Sequence, residues 1–160
     1  MGINGIDKRK AIARDYFGDK DVSEIADEFI SPWFHAPTNV EDYIGFVYVI
    51  TNRIDGKKYI GQKKFWFKKT LPPLKGKKRK RHIKYESDWK NYWGSNDELK
   101  KDVERLGKQN FARHIIRLCK NKTEMNYYET KEQFDKEVLF KDKYYNNMIN
   151  CRINGRGLKR

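Results

Sequence analysis

The sequence is poor in what secreted, membrane-spanning and disulfide-built proteins need. It has two cysteines, Cys119 and Cys151, too few for a disulfide framework or a four-cysteine zinc site. Both are expected to be free thiols in a reducing compartment. No run approaches 18 consecutive apolar residues, which excludes a membrane-spanning helix. The opening residues MGINGIDKRK carry no apolar segment, so no secretory signal is expected. There is no Walker A loop and no GxGxxG. The three histidines, His35, His82 and His114, are scattered without metal-ligand spacing, and no Ser-His-Asp arrangement is recognisable. His114 falls within a predicted strand and reads as structural.

What is present is charge of one sign in one place. The 160 residues hold 36 Lys+Arg against 22 Asp+Glu, a net charge of +14. From Lys57 to Lys84 there are 13 basic residues and no acidic one, and the other 132 residues are almost neutral, at 23 basic to 22 acidic. A localised basic strip is the footprint of phosphate-backbone contact. A solvated basic loop and a nuclear-localisation signal are the other readings of such a run. Hydrophobic residues at 38% and aromatics at 14% suffice for one folded domain with a small extension.

The chain divides into three parts: an N-terminal extension and connector over 1–44, a main domain over 45–150 with a basic insertion at about 63–85, and a basic tail over 151–160. Residues 7–30 predict a helical hairpin. Asp7 and Asp21 are the caps, and Val22, Ile25, Ala26 and Phe29 form an apolar stripe. Because residues 1–44 are net acidic, with 5 basic and 9 acidic side chains, the hairpin is expected to pack on the domain rather than read DNA. Residues 33–44 read as a connector. Gly45–Ile50 predicts a strand, Asp55-Gly56 a turn, and Lys57–Gly61 the return strand. Pro72, Pro73 and Gly76 argue against a helix through the basic strip, so it should be a β-ribbon or a loop. Ser95 and Glu98 form a capping-box signal for a helix bearing Leu99, Val103 and Leu106 and stopped by Gly107. Residues 112–118 predict a third strand. Thr123 is the expected cap of a helix running to about Leu139, with Tyr127, Phe134 and Val138 as its apolar face. Arg156 to Arg160 should fray.

The hairpin carries the decisive pattern. It reads Phe46-Val47-Tyr48, then Ile50-Thr51-Asn52, then Asp55-Gly56-Lys57-Lys58-Tyr59-Ile60-Gly61. Downstream come Tyr92-Trp93-Gly94-Ser95, the Gly107-Lys108-Gln109-Asn110-Phe111 stop and the Tyr145-Asn146 pair. This series resembles the GIY-YIG nucleases, and phage-type members in particular, over residues 45–150. Phe-Val-Tyr stands where Gly-Ile-Tyr is usual, with Tyr48 retained.

The resemblance implies a fold, a chemistry and a set of residues. The fold is α+β: a small three-stranded antiparallel sheet (about 45–51, 57–62 and 112–118) flanked by helices, with the N-terminal helical hairpin appended. The activity is metal-dependent hydrolysis of phosphodiester bonds in double-stranded DNA, in the cytoplasm. Tyr48 and Tyr59 would lie side by side, one of them helping to activate the attacking water. Glu129 would hold one divalent ion, Mg²⁺ or Mn²⁺, with Glu132 the alternative ligand, and Asn146 would support the glutamate or the phosphate from behind. The family arginine is missing from its usual place after the YIG motif, which leaves Lys64, Arg79 and Arg81 as candidates to clamp the phosphate. Lys63, Lys68, Lys69, Lys75, Lys77, Lys78, Lys80 and Lys84 would bind the DNA backbone. Two rivals stand beside this reading: a non-catalytic nucleic-acid binder on the same scaffold, and an assembly protein that docks its basic loop on an acidic partner.

Overall fold

The computed structural model of the chain describes residues 32–158, so the N-terminal hairpin expected at 7–30 lies outside the described residues. A central sheet is built from β1 (Trp33–Phe34), β2 (Gly45–Asn52), β3 (Lys58–Lys64) and β6 (Phe111–Cys119), in the order β1-β6-β2-β3. The three expected strands are present. The sheet is wider than expected, because the connector supplies β1, which pairs parallel with β6 through Trp33 and Phe34. The basic insertion folds as a separate two-stranded ribbon, β4 (Trp66–Leu71) with β5 (Arg81–Glu86). Alternating large side chains on the two strands explain why a run with so many lysines folds as a ribbon.

Strand alternation gives β2 two working faces. Phe46, Tyr48 and Ile50 point into an aromatic core with Trp33, Phe65, Trp89, Phe111 and Tyr145, covered by helix α1 (Asp97–Leu106) through Leu99 and Val103. Val47 points the other way, into a smaller core with Ile60, Cys119 and Met125 of helix α2 (Lys122–Asp135). The aromatic segment between β5 and α1 is fixed by buried Arg113, whose guanidinium donates to the carbonyls of Lys90 and Tyr92 and lies 4.7 Å and 4.2 Å from the Trp33 and Trp93 rings.

The helix boundaries follow from their caps. Asn96, rather than Ser95, caps α1 by accepting from Leu99 N, and Gly107 ends it at φ 90°. Asn121, rather than Thr123, caps α2, and α2 stops at Asp135, short of Leu139. Its expected apolar face is also corrected: Tyr127 and Phe134 are exposed, while Met125, Thr130 and Gln133 are buried and only Val138 goes inward as expected. The tail is held as far as Leu158, since the Asn121 amide donates to the Gly157 carbonyl at 3.0 Å. Among the described residues no helix is long and apolar enough to cross a membrane.

β3 is the outer strand of the sheet, and an exposed strand edge needs cover. Here the cover comes from residues 143–146. Lys58 N donates to Lys143 O and Tyr145 N donates to Lys58 O. One step on, the Asn146 side chain takes over: its Oδ1 accepts from Ile60 N at 2.9 Å and its Nδ2 donates to Ile60 O at 2.8 Å. Gln133 of α2 adds a second donor to that carbonyl at 3.1 Å. The side-chain amide thus stands in for a neighbouring strand. Asn146→Leu removes a buried bond pair and should lower unfolding free energy by about 2–4 kcal/mol in urea titration, with the Ile60 amide exchanging far faster in hydrogen-exchange measurements.

Candidate active site

The two motif tyrosines meet because of the β2–β3 register. Tyr48 pairs with Gly61, and Tyr59 pairs with Ile50, so the tyrosines are diagonal neighbours on one face. Their ring centroids are 6.1 Å apart. Gly61 makes this possible, since a β-carbon there would lie 2.6 Å from the Tyr48 hydroxyl and 2.9 Å from Tyr59 Cε1. Tyr48 is fully buried, with the Tyr92 ring edge-on to its own at 6.1 Å. Burial first, then the neighbouring Tyr59, pushes its phenol well above the ordinary tyrosine range. Tyr59 is half-buried, with its hydroxyl 2.9 Å from Ser95 Oγ. Burial raises its pKa as well, against the Ser95 bond that lowers it. Burial raises the Tyr92 phenol too. Three tyrosines and one serine therefore gather at the start of α1.

Glu129 reaches the same place from the other face of the sheet. Met125, Glu129 and Gln133 follow at i, i+4 and i+8 along α2, so they form one stripe against β2 and β3. Met125 packs in the core, Gln133 bonds Ile60, and between them the Glu129 carboxylate accepts from Gln62 Nε2 at 2.6 Å. Gln62 also donates to Asn126 Oδ1 at 2.9 Å. No lysine or arginine of the described residues pairs with Glu129, and burial raises its carboxyl above the usual range. Glu132 is half-buried and does not face the cleft.

Tyr59, Gln62, Ser95, Glu129 and Asn146 line one polar cleft of about 690 Å³ that opens at the β3 edge. Its remaining wall is the segment from Asn146 to Arg152 and the first turn of α2. The cleft's cationic residues are Lys122 and Arg152. Lys64, Arg79 and Arg81, the expected phosphate clamp, are not among its walls. Lys64 ends β3, Arg79 lies in the turn of the ribbon, and Arg81 starts β5, with its Nε donating to Pro72 O at 3.4 Å. Arg79 and Arg81 lie at the far end of the ribbon from β3, outside the cleft. Asn146 lines the cleft, but its amide is engaged by Ile60 rather than by Glu129.

Sequence reasoning missed Gln62, Ser95, Tyr92, Lys122 and Arg152. Ser95 was readable as a cap and as the end of the Tyr92-Trp93-Gly94-Ser95 turn, and Arg152 only as part of a tail. Of the lysines expected on DNA, Lys68, Lys69, Lys75, Lys77, Lys78, Lys80 and Lys84 are exposed on the ribbon and its turn. Lys63 is not: its side chain is 11% exposed and bonded to Asp88 at 2.6 Å, which holds that carboxyl below its usual range.

A family model described as "Putative endonuclease segE, GIY-YIG domain" matches residues 32–149. The chain belongs to the GIY-YIG nuclease superfamily. No curated protein and no solved structure matches it. Within that family the match takes in the connector as well as the hairpin, in keeping with the place of β1 in the sheet.

The raised Glu129 carboxyl fixes the sign of a pH effect. Folding favours its protonated form, so its contribution to stability is present below the ordinary glutamate value of 4.5 and is lost as pH rises through the higher folded value. Glu129→Gln cannot ionise. In thermal melts it should match the parent at acid pH and melt higher than the parent at neutral pH in metal-free buffer.

Proposed function

We propose that the chain is a metal-dependent endonuclease that hydrolyses phosphodiester bonds in double-stranded DNA. The observation that carries this reading is the convergence of Tyr59 and Glu129 in one cleft from opposite faces of β3. Family membership supports nuclease chemistry, and the strip of 13 basic residues without an acidic one supports a polyanionic substrate. A cytoplasmic, phage-related setting fits the free cysteines and the likeness to phage-type members.

The donor set suits a hard divalent ion. Mg²⁺ keeps most of its water and needs only one or two carboxylates plus substrate phosphate. Glu129 supplies the carboxylate and Asn126 an amide oxygen nearby, each bonded to the Gln62 amide. Among the described residues there is no cluster of three His, Cys, Asp or Glu, the pattern a zinc centre would want. Glu129 would hold one Mg²⁺ or Mn²⁺, which supplies Lewis-acid stabilisation of charge on the phosphate and on the leaving oxygen.

The chain's own residues do the rest. Tyr59 is the motif tyrosine on the cleft wall, and its raised pKa keeps it a neutral hydroxyl at pH 7. In that state it orients the attacking water by a hydrogen bond, its own hydroxyl held by Ser95 2.9 Å away, and the water's proton leaves to the solvent that fills the open cleft. Tyr48 is too buried to touch substrate and acts as a positioning residue, its ring behind Tyr59 and edge-on to Tyr92. Lys122 and Arg152 are placed to take the phosphate charge that the family gives to an arginine after the YIG motif.

Plasmid cleavage with Mg²⁺ tests this. Tyr59→Phe should cut about 10²–10⁴-fold more slowly, and Glu129→Gln about 10²–10³-fold more slowly. Mg²⁺ should also raise the melting temperature of the parent and leave that of Glu129→Gln unmoved. Undiminished cutting by both variants would sink the site assignment. Salt-sensitive DNA binding without cutting under Mg²⁺ or Mn²⁺ would favour the non-catalytic binder, a reading favoured by the placement of Arg79 and Arg81 outside the cleft. Absence of DNA binding at low salt would favour the assembly protein.

A further inference from the structure

The β4–β5 ribbon has two unlike faces. Cross-strand register places Phe67, Lys69 and Leu71 opposite Tyr85, Ile83 and Arg81. The other face carries Trp66, Lys68 and Lys84. At the root of the ribbon that second face is turned back on the body, while Lys68, Thr70, His82 and Lys84 further out are exposed. The Trp66 indole donates to the carbonyls of Val40 and Tyr43 at 3.4 Å and 3.1 Å, and the Lys84 ammonium sits 4.0 Å over its ring.

The first face is open. Phe67, Ile83 and Tyr85 are 37%, 42% and 47% exposed, and the Phe67 and Tyr85 rings lie edge to face at 5.8 Å. It also looks toward the chemistry. The Lys63 ammonium lies 5.5 Å from the Phe67 ring and 3.7 Å from the Tyr92 ring, and the Tyr92 ring packs on Tyr48, the neighbour of Tyr59, with both centroid distances 6.1 Å. The open face of the ribbon and the tyrosine side of the cleft are therefore parts of one surface.

We infer that this face seats in a groove of duplex DNA, with the Phe67–Tyr85 pair and Ile83 against the base edges and Lys69 and Arg81 on the flanking phosphates. The inference rests on the duplex-DNA part of the proposed function and adds which side of the ribbon makes the contact. A two-stranded ribbon is one of the two elements that fit the major groove, about 12 Å wide. Apolar side chains meet thymine methyls there. Charge selects this occupant over a second copy of the chain. The turn joining the strands carries Lys75, Lys77, Lys78, Arg79 and Lys80, and no acidic residue lies between Lys57 and Lys84. Two such ribbons face to face would repel, whereas a duplex supplies the opposing charge.

Lys68 and Lys69 make a matched pair for a test: adjacent, exposed and equal in charge, but on opposite faces. Binding of the full chain to a fluorescein-labelled duplex is followed by anisotropy in EDTA over a range of salt, so that cleavage plays no part. Lys69→Ala should weaken binding about fivefold and reduce the salt slope by about 1, and Lys68→Ala should change affinity less than about twofold. Phe67→Ser with Tyr85→Ser should weaken binding about tenfold with the salt slope unchanged. Unaltered thermal melts would establish that the variants are folded. Equal losses for Lys68→Ala and Lys69→Ala overturn the assignment of the face and leave the nuclease reading standing. Failure of the parent to bind any duplex at low salt overturns both. A dimer seen in sedimentation that Phe67→Ser with Tyr85→Ser dissociates would give the face to a second copy and overturn the inference.

Discussion

The closed edge of β3 is the constraint on which the rest of the molecule depends. Tyr59 projects from one face of this strand and Gln62 from the other, and between them Ile60 gives both its main-chain groups to Asn146. With that edge pinned, the first turn of α1 and the middle of α2 are brought to the same spot. Asn96 shows the linkage plainly: its Oδ1 caps α1 while its Nδ2 donates to the Tyr145 carbonyl at 2.8 Å. Tyr145 in turn bonds Asn52 and Asp102 through its hydroxyl, whose pKa burial pushes up to about 12. The Tyr145-Asn146 pair thus holds β3 and both helices in place around the site.

Stability and chemistry pull apart at the cleft. Glu129 is a carboxylate with no cationic partner among the described residues, held against Gln62 in a half-buried position where ionisation is disfavoured. A core built for stability alone would not place it there. The wall around it is amide-rich, with Gln62, Asn126, Gln133 and Asn146 each engaged by a named partner. That leaves the carboxylate as the cleft's strong ligand for a cation. The positive charge is sorted as well. Lys63 is neutralised at the root of the ribbon by Asp88, and the lysines of the ribbon beyond it are exposed.

Much of this was legible in the sequence where local rules act alone. The hairpin register followed from the Asp55-Gly56 turn and the apolar run before it, and the register alone sets Tyr48 beside Tyr59. Gly107 marked the end of α1. The misreadings cluster where a residue serves the site instead of its own element. Ser95 has the right chemistry for a cap, yet it turns to Tyr59 while Asn96 caps the helix. The inward stripe of α2 is Met125, Glu129 and Gln133, which looks polar and solvated by hydropathy because it faces a cleft rather than a core. Trp33 and Phe34 were hidden in a connector because two residues are too few to show alternation. Arg79 and Arg81 stand outside the cleft because they sit in the turn of the ribbon and at the start of β5, beyond the whole length of β4.

The device that closes β3 also sets an order of events during synthesis. Asn146 follows Ile60 by 86 residues, so a ribosome adding about 5–20 residues per second leaves the strand uncovered for roughly 4–17 s. Throughout that interval the nascent hairpin offers a naked edge to any neighbouring chain. Lys58, Lys63 and Lys64 on that same strand are the kind of residue that discourages such pairing. The lysines that begin the basic strip thus act first as guards for an unfinished sheet, before there is a cleft for them to border.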